Sequence, residues 1–293
     1  MEIKTEAGLA LSKNSFACGW SKHICTYALA TAVNALAAKE AECIAAEAQI
    51  LFPTGTDSSG AYALEKAFCK VCQERGIEKQ EVVIRRNPLF GLPVVQITAM
   101  GLDTGNTVMQ EEALRGGPGD ELVLVKWIGM EGMLRIADEK GNELRRRFAP
   151  VFIRQIQSWR KELFAGRELE IARSMGVVSI RQITEGGILG ALWDLAKETG
   201  CGLDLDMKRM SVLQETIEVC EQYGLNPYQL TSAGSFLMAA ADGKALADAL
   251  CENQLQASVI GRLTAGNDKI IHNGEDVRYL DRPAPDEIYK IFL

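Results

Sequence analysis

The stretch Ile180–Asp206, IRQITEGGILGALWDLAKETGCGLDLD, constrains this chain more than any other. It reads as a strand entering a glycine loop, then a helix, a glycine stop and a second strand. Thr184 is placed to cap the helix, and Glu185 suits the positive end of its dipole. Ile188, Leu192, Leu195 and Ala196 recur on one helical stripe, whereas Asp194, Lys197 and Glu198 face away. Gly200 and Gly202 end the helix, and Leu203–Asp206 alternates as a strand does. Backbone N–H groups at Gly186 and Gly187 can hold a phosphate. A Gly-Gly helix start serves equally well as a tight turn, so the motif alone decides nothing.

Upstream the chain changes character. Met1–Gly19 shows little pattern and reads as a ragged arm. Trp20–Ala38 is an alanine-rich helix, apolar nearly all round and therefore covered. Glu40–Leu51 is ambiguous between helix and strand. Asp57–Gly76 is a helix with Asp57 or Ser58 as cap and Gly76 as stop. Glu81–Arg86 and Pro93–Met100 read as strands on either side of the turn Asn87–Gly91. The glycine-rich segment Gly101–Gly119 marks a boundary between a domain at 1–112 and a larger one at 113–293.

In the second domain, Asp120–Trp127 reads as a strand and Met130–Lys140 as a helix. Helical stretches follow near Pro150–Lys161 and Glu168–Met175. Beyond the 180–206 unit come a helix at Gln214–Tyr223, a strand at Ser235–Ala241 and a helix at Lys244–Glu252. Strands at Ala257–Leu263, Lys269–Asn273 and Val277–Leu280 and a short C-terminal helix complete the order. Strands separated by helices define an α/β (α+β) protein with layered domains.

Charge and composition exclude several functions. Lysine and arginine number 32 against 39 acids, a net charge of −7, so the whole molecule is not a nucleic-acid binder. Met1–Lys13 has no apolar run after a basic start, and Ile24–Ala38 is too short and too polar to span a bilayer. No membrane partner is expected. The eight cysteines lack the spacing of a disulfide framework, which suits reduced thiols and a cytoplasmic location. Cys69-Lys70-Val71-Cys72 lies inside a helix with no second such pair, so it reads as packing. Only His23 and His272 exist, which argues against a histidine-based zinc site, and His272 falls in a turn-like surface region. Neither a P-loop nor a strand-linked dinucleotide fingerprint occurs. Arg145–Arg173 holds eight basic residues against three acids, either as solvated helix faces or as a dock for an acidic ligand or partner.

Thr184-Glu185-Gly186-Gly187, followed by Gly190-Ala191-Leu192-Trp193, resembles the C-terminal domain of the aminoimidazole ribonucleotide (AIR) synthetase superfamily. The resemblance is to the AIR-synthase-related branch that includes the hydrogenase maturation factor acting as a carbamoyl dehydratase. It extends through Gly200-Cys201-Gly202, Asn226–Leu230, Ser232–Ser235, Ile260-Gly261 and Asp286–Lys290. Upstream, Pro118-Gly119-Asp120, Lys126–Gly129 and Glu131-Gly132 match as well. The resemblance implies two α/β domains, dimerisation through the N-terminal sheet and a nucleotide cleft. It also implies use of ATP and Mg²⁺ to activate an amide-type oxygen as a phosphate ester.

Several implied site motifs are altered. No acidic run resembling the family's first motif occurs in Met1–Gly19, and the expectation is that the chain starts downstream of it. The acidic motif of the strand that follows is unmatched too. The family's Val-Asn-Asp stands here as Val33-Asn34-Ala35, without its carboxylate. Its Gly-Gly-His-Thr-Glu falls at Ile84–Pro88, which reads Ile-Arg-Arg-Asn-Pro. The residues before Thr184-Glu185 are Arg181-Gln182 and Ile183 rather than the usual His-Asp motif, and the family factor's terminal cysteine has no counterpart.

These departures predict a homodimeric scaffold with a degraded ATP/Mg²⁺ site, acting as a binding or regulatory subunit, or as a heteromer with an active relative. The candidate phosphate or nucleotide contacts are Thr184, Glu185, Gly186, Gly187, Lys126, Asn34, Arg85 and Arg86, the last two as guanidinium replacements for the metal. No catalytic residue and no metal ligand is assigned. The rival expectation is an ATP-dependent enzyme that uses the Thr184–Gly187 loop, with Asp57, Asp103 or Asp120 as loop acids. A third is a non-nucleotide metabolite in the same cleft.

Overall fold

The computed structural model describes residues 2–5, 8–103, 116–177 and 179–293, with the side chains of 2–5, 8, 9 and 103 outside the description. Most of the Gly101–Gly119 boundary segment therefore lies outside the described residues. The chain forms two compact units, one of Met1–Met109 with Arg135–Ile153, the other of Gln110–Leu134 with Arg154–Leu293.

The first unit is a five-stranded sheet with two helices on one face. Its strands are β1 (Glu2–Thr5), β2 (Gly8–Cys18), β3 (Ala41–Pro53), β4 (Glu78–Asn87) and β5 (Val94–Asp103), in the order β1-β2-β5-β3-β4. The N-terminal segment is thus not a ragged arm. β2 pairs with β5 over ten residues, from Leu9–Asp103 to Cys18–Val94. Its polar Ser12, Lys13 and Asn14 hide a period-two pattern in which Leu11, Ser15 and Ala17 are buried. β3 resolves the ambiguous segment as a strand. It runs between β4 and β5, parallel to the first and antiparallel to the second, so the two strands flanking Asn87–Gly91 are not neighbours.

Helices α1 (Ile24–Ala37) and α2 (Ser58–Glu74) cover one face, where Ala46, Ile50, Val95, Ile97 and Ala99 are buried. On the other face Phe16 is 52% exposed. One buried and one solvated face is the usual condition of an antiparallel sheet. The Asp57 carboxylate caps α2 by accepting the Ser59 N–H at 3.3 Å, as its position predicts.

The second unit is a seven-stranded sheet. Its strands are β6 (Glu121–Val125), β7 (Ser179–Ile183), β8 (Gly202–Asp206), β9 (Ser235–Ala240), β10 (Ala257–Thr264), β11 (Lys269–Asn273) and β12 (Asp276–Tyr279). They lie in the order β12-β11-β8-β10-β6-β9-β7, antiparallel except for β8 with β11. The helices of this half of the chain are α3 (Met130–Glu139), α4 (Gly141–Arg147), α5 (Pro150–Ser158), α6 (Arg167–Ser174), α7 (Gly187–Thr199), α8 (Gln214–Tyr223) and α9 (Gly243–Glu252). The division between units falls within α3 and again within α5, so that α4 and Pro150–Ile153 of α5 group with the first unit. His272 belongs to β11 rather than to a turn, and its Nε2 lies 2.9 Å from Asp204 Oδ1.

α7 lays Ile188, Leu192, Leu195 and Ala196 on the sheet, against Leu122, Leu124, Leu203, Leu205, Leu237 and Ile260. α9 packs on β6 and β10 from the other side. Central β6 is therefore covered on both faces, and Leu122–Val125 are fully buried. That double burial explains its unbroken apolar sequence. β10 bulges between Val259 and Gly261, where a Cβ on Gly261 would lie 2.2 Å from the Asp204 carbonyl oxygen. Only glycine permits that approach.

Candidate functional site

The turn between β7 and α7 is built from Thr184, Glu185, Gly186 and Gly187. Gly186 and Gly187 are both left-handed, with φ of 82° and 63°. The Gly187 N–H donates to Thr184 O at 3.1 Å, closing the turn. A Cβ on Gly187 would sit 2.5 Å from Tyr228 O and 2.9 Å from Leu230 N, so the Asn226–Leu230 segment requires glycine there.

Thr184 does not cap the helix. The N-cap residue is Gly186, and no side chain of the turn serves α7. The cap comes from the far end of the chain. Asp286 Oδ2 accepts the Gly186 N–H at 2.7 Å, while its Oδ1 accepts Ile288 N–H at 2.8 Å and Thr231 N–H at 3.2 Å. Local sequence favours Thr184, but a carboxyl group holding three N–H groups satisfies more donors than one hydroxyl.

Asp286 is 2% exposed, and burial pushes its carboxyl up to about 6. The N–H groups of Ile288, Gly186 and Thr231 oppose that rise, and nearby Glu131 adds to it. Glu131 is itself buried. It receives the Thr231 hydroxyl and, at 3.4 Å, the Ala233 N–H. Glu185 lies at the surface and accepts the Tyr289 hydroxyl at 2.5 Å. The segment Asp286–Tyr289 thus closes over the turn from two sides.

Lys126 sits in a left-handed conformation after β6, 3% exposed. Its ammonium pairs with Glu168 at 2.8 Å and donates to the carbonyls of Glu162 at 2.9 Å and Phe164 at 3.3 Å. All three ammonium donors have acceptors. Around it, the Gly129 N–H donates to Ser232 Oγ at 2.7 Å and Ser235 Oγ donates to Trp127 O at 2.7 Å. The Ser232–Ser235 motif therefore joins β9 to the loop after β6.

The remaining candidates belong to the first unit. Asn34 is fully buried on α1, and its backbone oxygen accepts the Ala38 N–H. Arg86 donates to Thr56 O at 2.8 Å and Ser58 Oγ at 3.0 Å, tying β4 to the start of α2. Arg85 is exposed. Among the loop acids, Asp57 caps α2, with its carboxyl lowered by the Ser59 hydroxyl and N–H. Asp120 accepts the Gly117 N–H at 2.8 Å in a turn, and the side chain of Asp103 lies outside the described residues. Among the described residues no three His, Cys, Asp or Glu side chains group as metal ligands. The sequence reading missed Asp286 and Glu131 as parts of this site, because each meets its partner about a hundred residues away.

Two α/β units, with a glycine turn feeding a helix laid on a mainly antiparallel sheet, define a protein class, and the comparisons place the chain in it. Residues 117–273 match the family described as AIR synthase related protein, C-terminal domain. The chain belongs to that family. A carbamoyl dehydratase HypE from Rhodobacter capsulatus is 29% identical over 105 residues, 36% of this chain and 31% of that protein. One from Cupriavidus necator is 28% identical over 135 residues, 45% of this chain and 36% of that protein. The match thus spans about a third of the length of these relatives. E. coli HypE, a hydrogenase maturation protein, superposes with a TM-score of 0.72 over 96% of this chain and 89% of its own, at 16% identity. A HypE in complex with ATP gives 0.72 over 95% and 87% at 15% identity. AaThiL complexed with AMPPCP and TMP gives 0.67 over 94% and 88% at 13% identity. The two-domain fold expected from the resemblance is the fold observed.

Proposed function

We propose that this chain is a non-catalytic binding or regulatory subunit on the AIR-synthase-related scaffold, of the hydrogenase-maturation kind. The bond from Gly186 N–H to Asp286 Oδ2 carries the reading. A helix start of this form offers its N–H groups to an anion. Here the protein's own carboxylate takes that place, and a phosphate would meet a like charge. Lys126, the cation expected to assist, is engaged by Glu168. The altered motifs at Val33-Asn34-Ala35 and Ile84–Pro88 point the same way. The residues present do not fit Mg·ATP at this turn.

The subunit pairs through the sheet of its first unit, whose helix-free face presents Phe16. A homodimer is the simplest form, and a heteromer with an active relative is the other. A HypE–HypF complex, with a TM-score of 0.69 at 16% identity, supports assembly on this scaffold. Among the described residues no helix is long and apolar enough to cross a membrane. The dispersed cysteines support a cytoplasmic location.

The test is Mg²⁺-dependent ATP hydrolysis by the pure chain, with thermal shifts in ATP with and without Mg²⁺. A ligand at a hundred times its dissociation constant adds about 2.7 kcal/mol of stability. The expected result is neither turnover nor a Mg²⁺-dependent shift, and observing turnover or such a shift would overturn the proposal. The second reading, an ATP-dependent maturation or amide-activating enzyme, is supported by the two carbamoyl dehydratase matches. It requires the C-terminal segment to leave the turn during turnover.

A further inference from the structure

We infer a second ligand site at the opposite end of α7 from the glycine turn, for a planar heteroaromatic ring that carries a phosphate. A hollow of about 590 Å³ opens there, lined by Trp193, Lys197, Asn267, Lys269, Arg282 and Pro283 among others, without an acidic side chain. That volume suits a small organic ligand. All of these residues belong to the second unit.

Three cations and one indole line this hollow. Lys269 Nζ lies 5.3 Å from the Trp193 ring centroid and donates to Asn267 O at 3.1 Å and Asn267 Oδ1 at 3.0 Å. Those two bonds and the ring fix the ammonium and leave its third N–H for a ligand. Among the described residues none of Lys197, Lys269 and Arg282 has a carboxylate within ion-pair distance. In a chain with more acids than bases, three unpaired cations around one hollow repel one another unless an anion joins them.

Structural duties account for two of the three. Lys197 lies in the last turn of α7, where the helix dipole favours a cation, and Lys269 rests on Trp193. Arg282 has neither role, and Pro283 restrains the backbone beside it. Its planar guanidinium matches two phosphate oxygens at once. Trp193, half-buried in the lining of the same hollow, offers a face for stacking. Indole and guanidinium together select a ring and a phosphate in one molecule, which is the chemistry of a nucleoside monophosphate.

The probe is AMP, titrated calorimetrically into the full chain in EDTA, with adenosine and inorganic phosphate as its halves. Metal chelation keeps this measurement separate from the Mg²⁺-dependent test above. Saturable AMP binding is expected, about tenfold tighter than either half. Arg282→Glu and Trp193→Leu should each weaken it at least about tenfold, with unchanged circular dichroism. Failure of AMP to saturate by about 10 mM would overturn the site. Equal affinity in Arg282→Glu would do the same by placing AMP elsewhere. Phosphate binding as tightly as AMP, unaffected by Trp193→Leu, would overturn the stacking half of the inference.

Discussion

The carboxylate of Asp286 accepts the backbone N–H of Gly186 at 2.7 Å, across a hundred residues of chain. One side chain from the C-terminal segment thereby finishes a helix that the local sequence leaves uncapped. The same carboxylate holds Thr231 and Ile288, so one group joins the α7 turn, the loop before β9 and the C-terminal 3₁₀ turn Glu287–Phe292.

Removing that group should loosen all three segments. Asp286→Ala leaves three N–H groups without their acceptor, two of them buried, and should cost about 2–4 kcal/mol in urea denaturation. A cost below about 0.5 kcal/mol would mean that water replaces the carboxylate without loss.

The same residue sets a pH dependence with a definite sign. Its folded pKa of about 6 exceeds the ordinary value of 3.8, so the folded state holds the proton more tightly than the unfolded one. The contribution to stability is complete below about pH 4 and lost as pH rises through about 6. Relative to Asp286→Asn, the native protein should lose roughly 3 kcal/mol between these limits. Parallel pH profiles of the two proteins would show that Asp286 titrates normally.

Left-handed Gly187 and Gly200 stand at opposite ends of α7, and their neighbourhoods differ. Gly200 has nothing within 4 Å of a hypothetical Cβ, whereas Gly187 would drive one into Tyr228 O. Gly200→Ala should cost about 1 kcal/mol from backbone strain alone. Gly187→Ala adds a collision with backbone and should cost at least about 3 kcal/mol, or fail to fold. Equal melting temperatures for the two variants would contradict the packing described at Tyr228.

Lys126 and Glu168 form a buried ion pair, 4% and 3% exposed. Lys126→Met strands a buried carboxylate and should cost about 3–5 kcal/mol, while Lys126→Met with Glu168→Met should regain most of it. A double-mutant cycle by denaturant titration measures the difference. Additive losses would mean that the two charges act independently.

Much of the fold is legible in the chain, for a local reason. The α7 stripe, the Asp57 cap and the extents of α8 and β11 follow from periodicity and turn residues within a dozen positions. The candidate site is legible only by half. Thr184–Gly187 announces a helix start, but nothing nearby says that Asp286 fills it. Lys126 reads as an available cation until Glu168 and two carbonyls enclose it.

By itself the sequence determines most of the helices, the apolar stripes that must be buried and the family, because propensity and motif are carried by neighbouring residues. The tertiary structure alone decides that residues 8–18 become a full strand, since their polar alternation has meaning only beside β5. It alone inserts β3 between β4 and β5 and brings the C-terminal carboxylate to α7. Strand order and buried charge satisfaction are properties of distant pairs, which form only when the whole chain excludes water from between them.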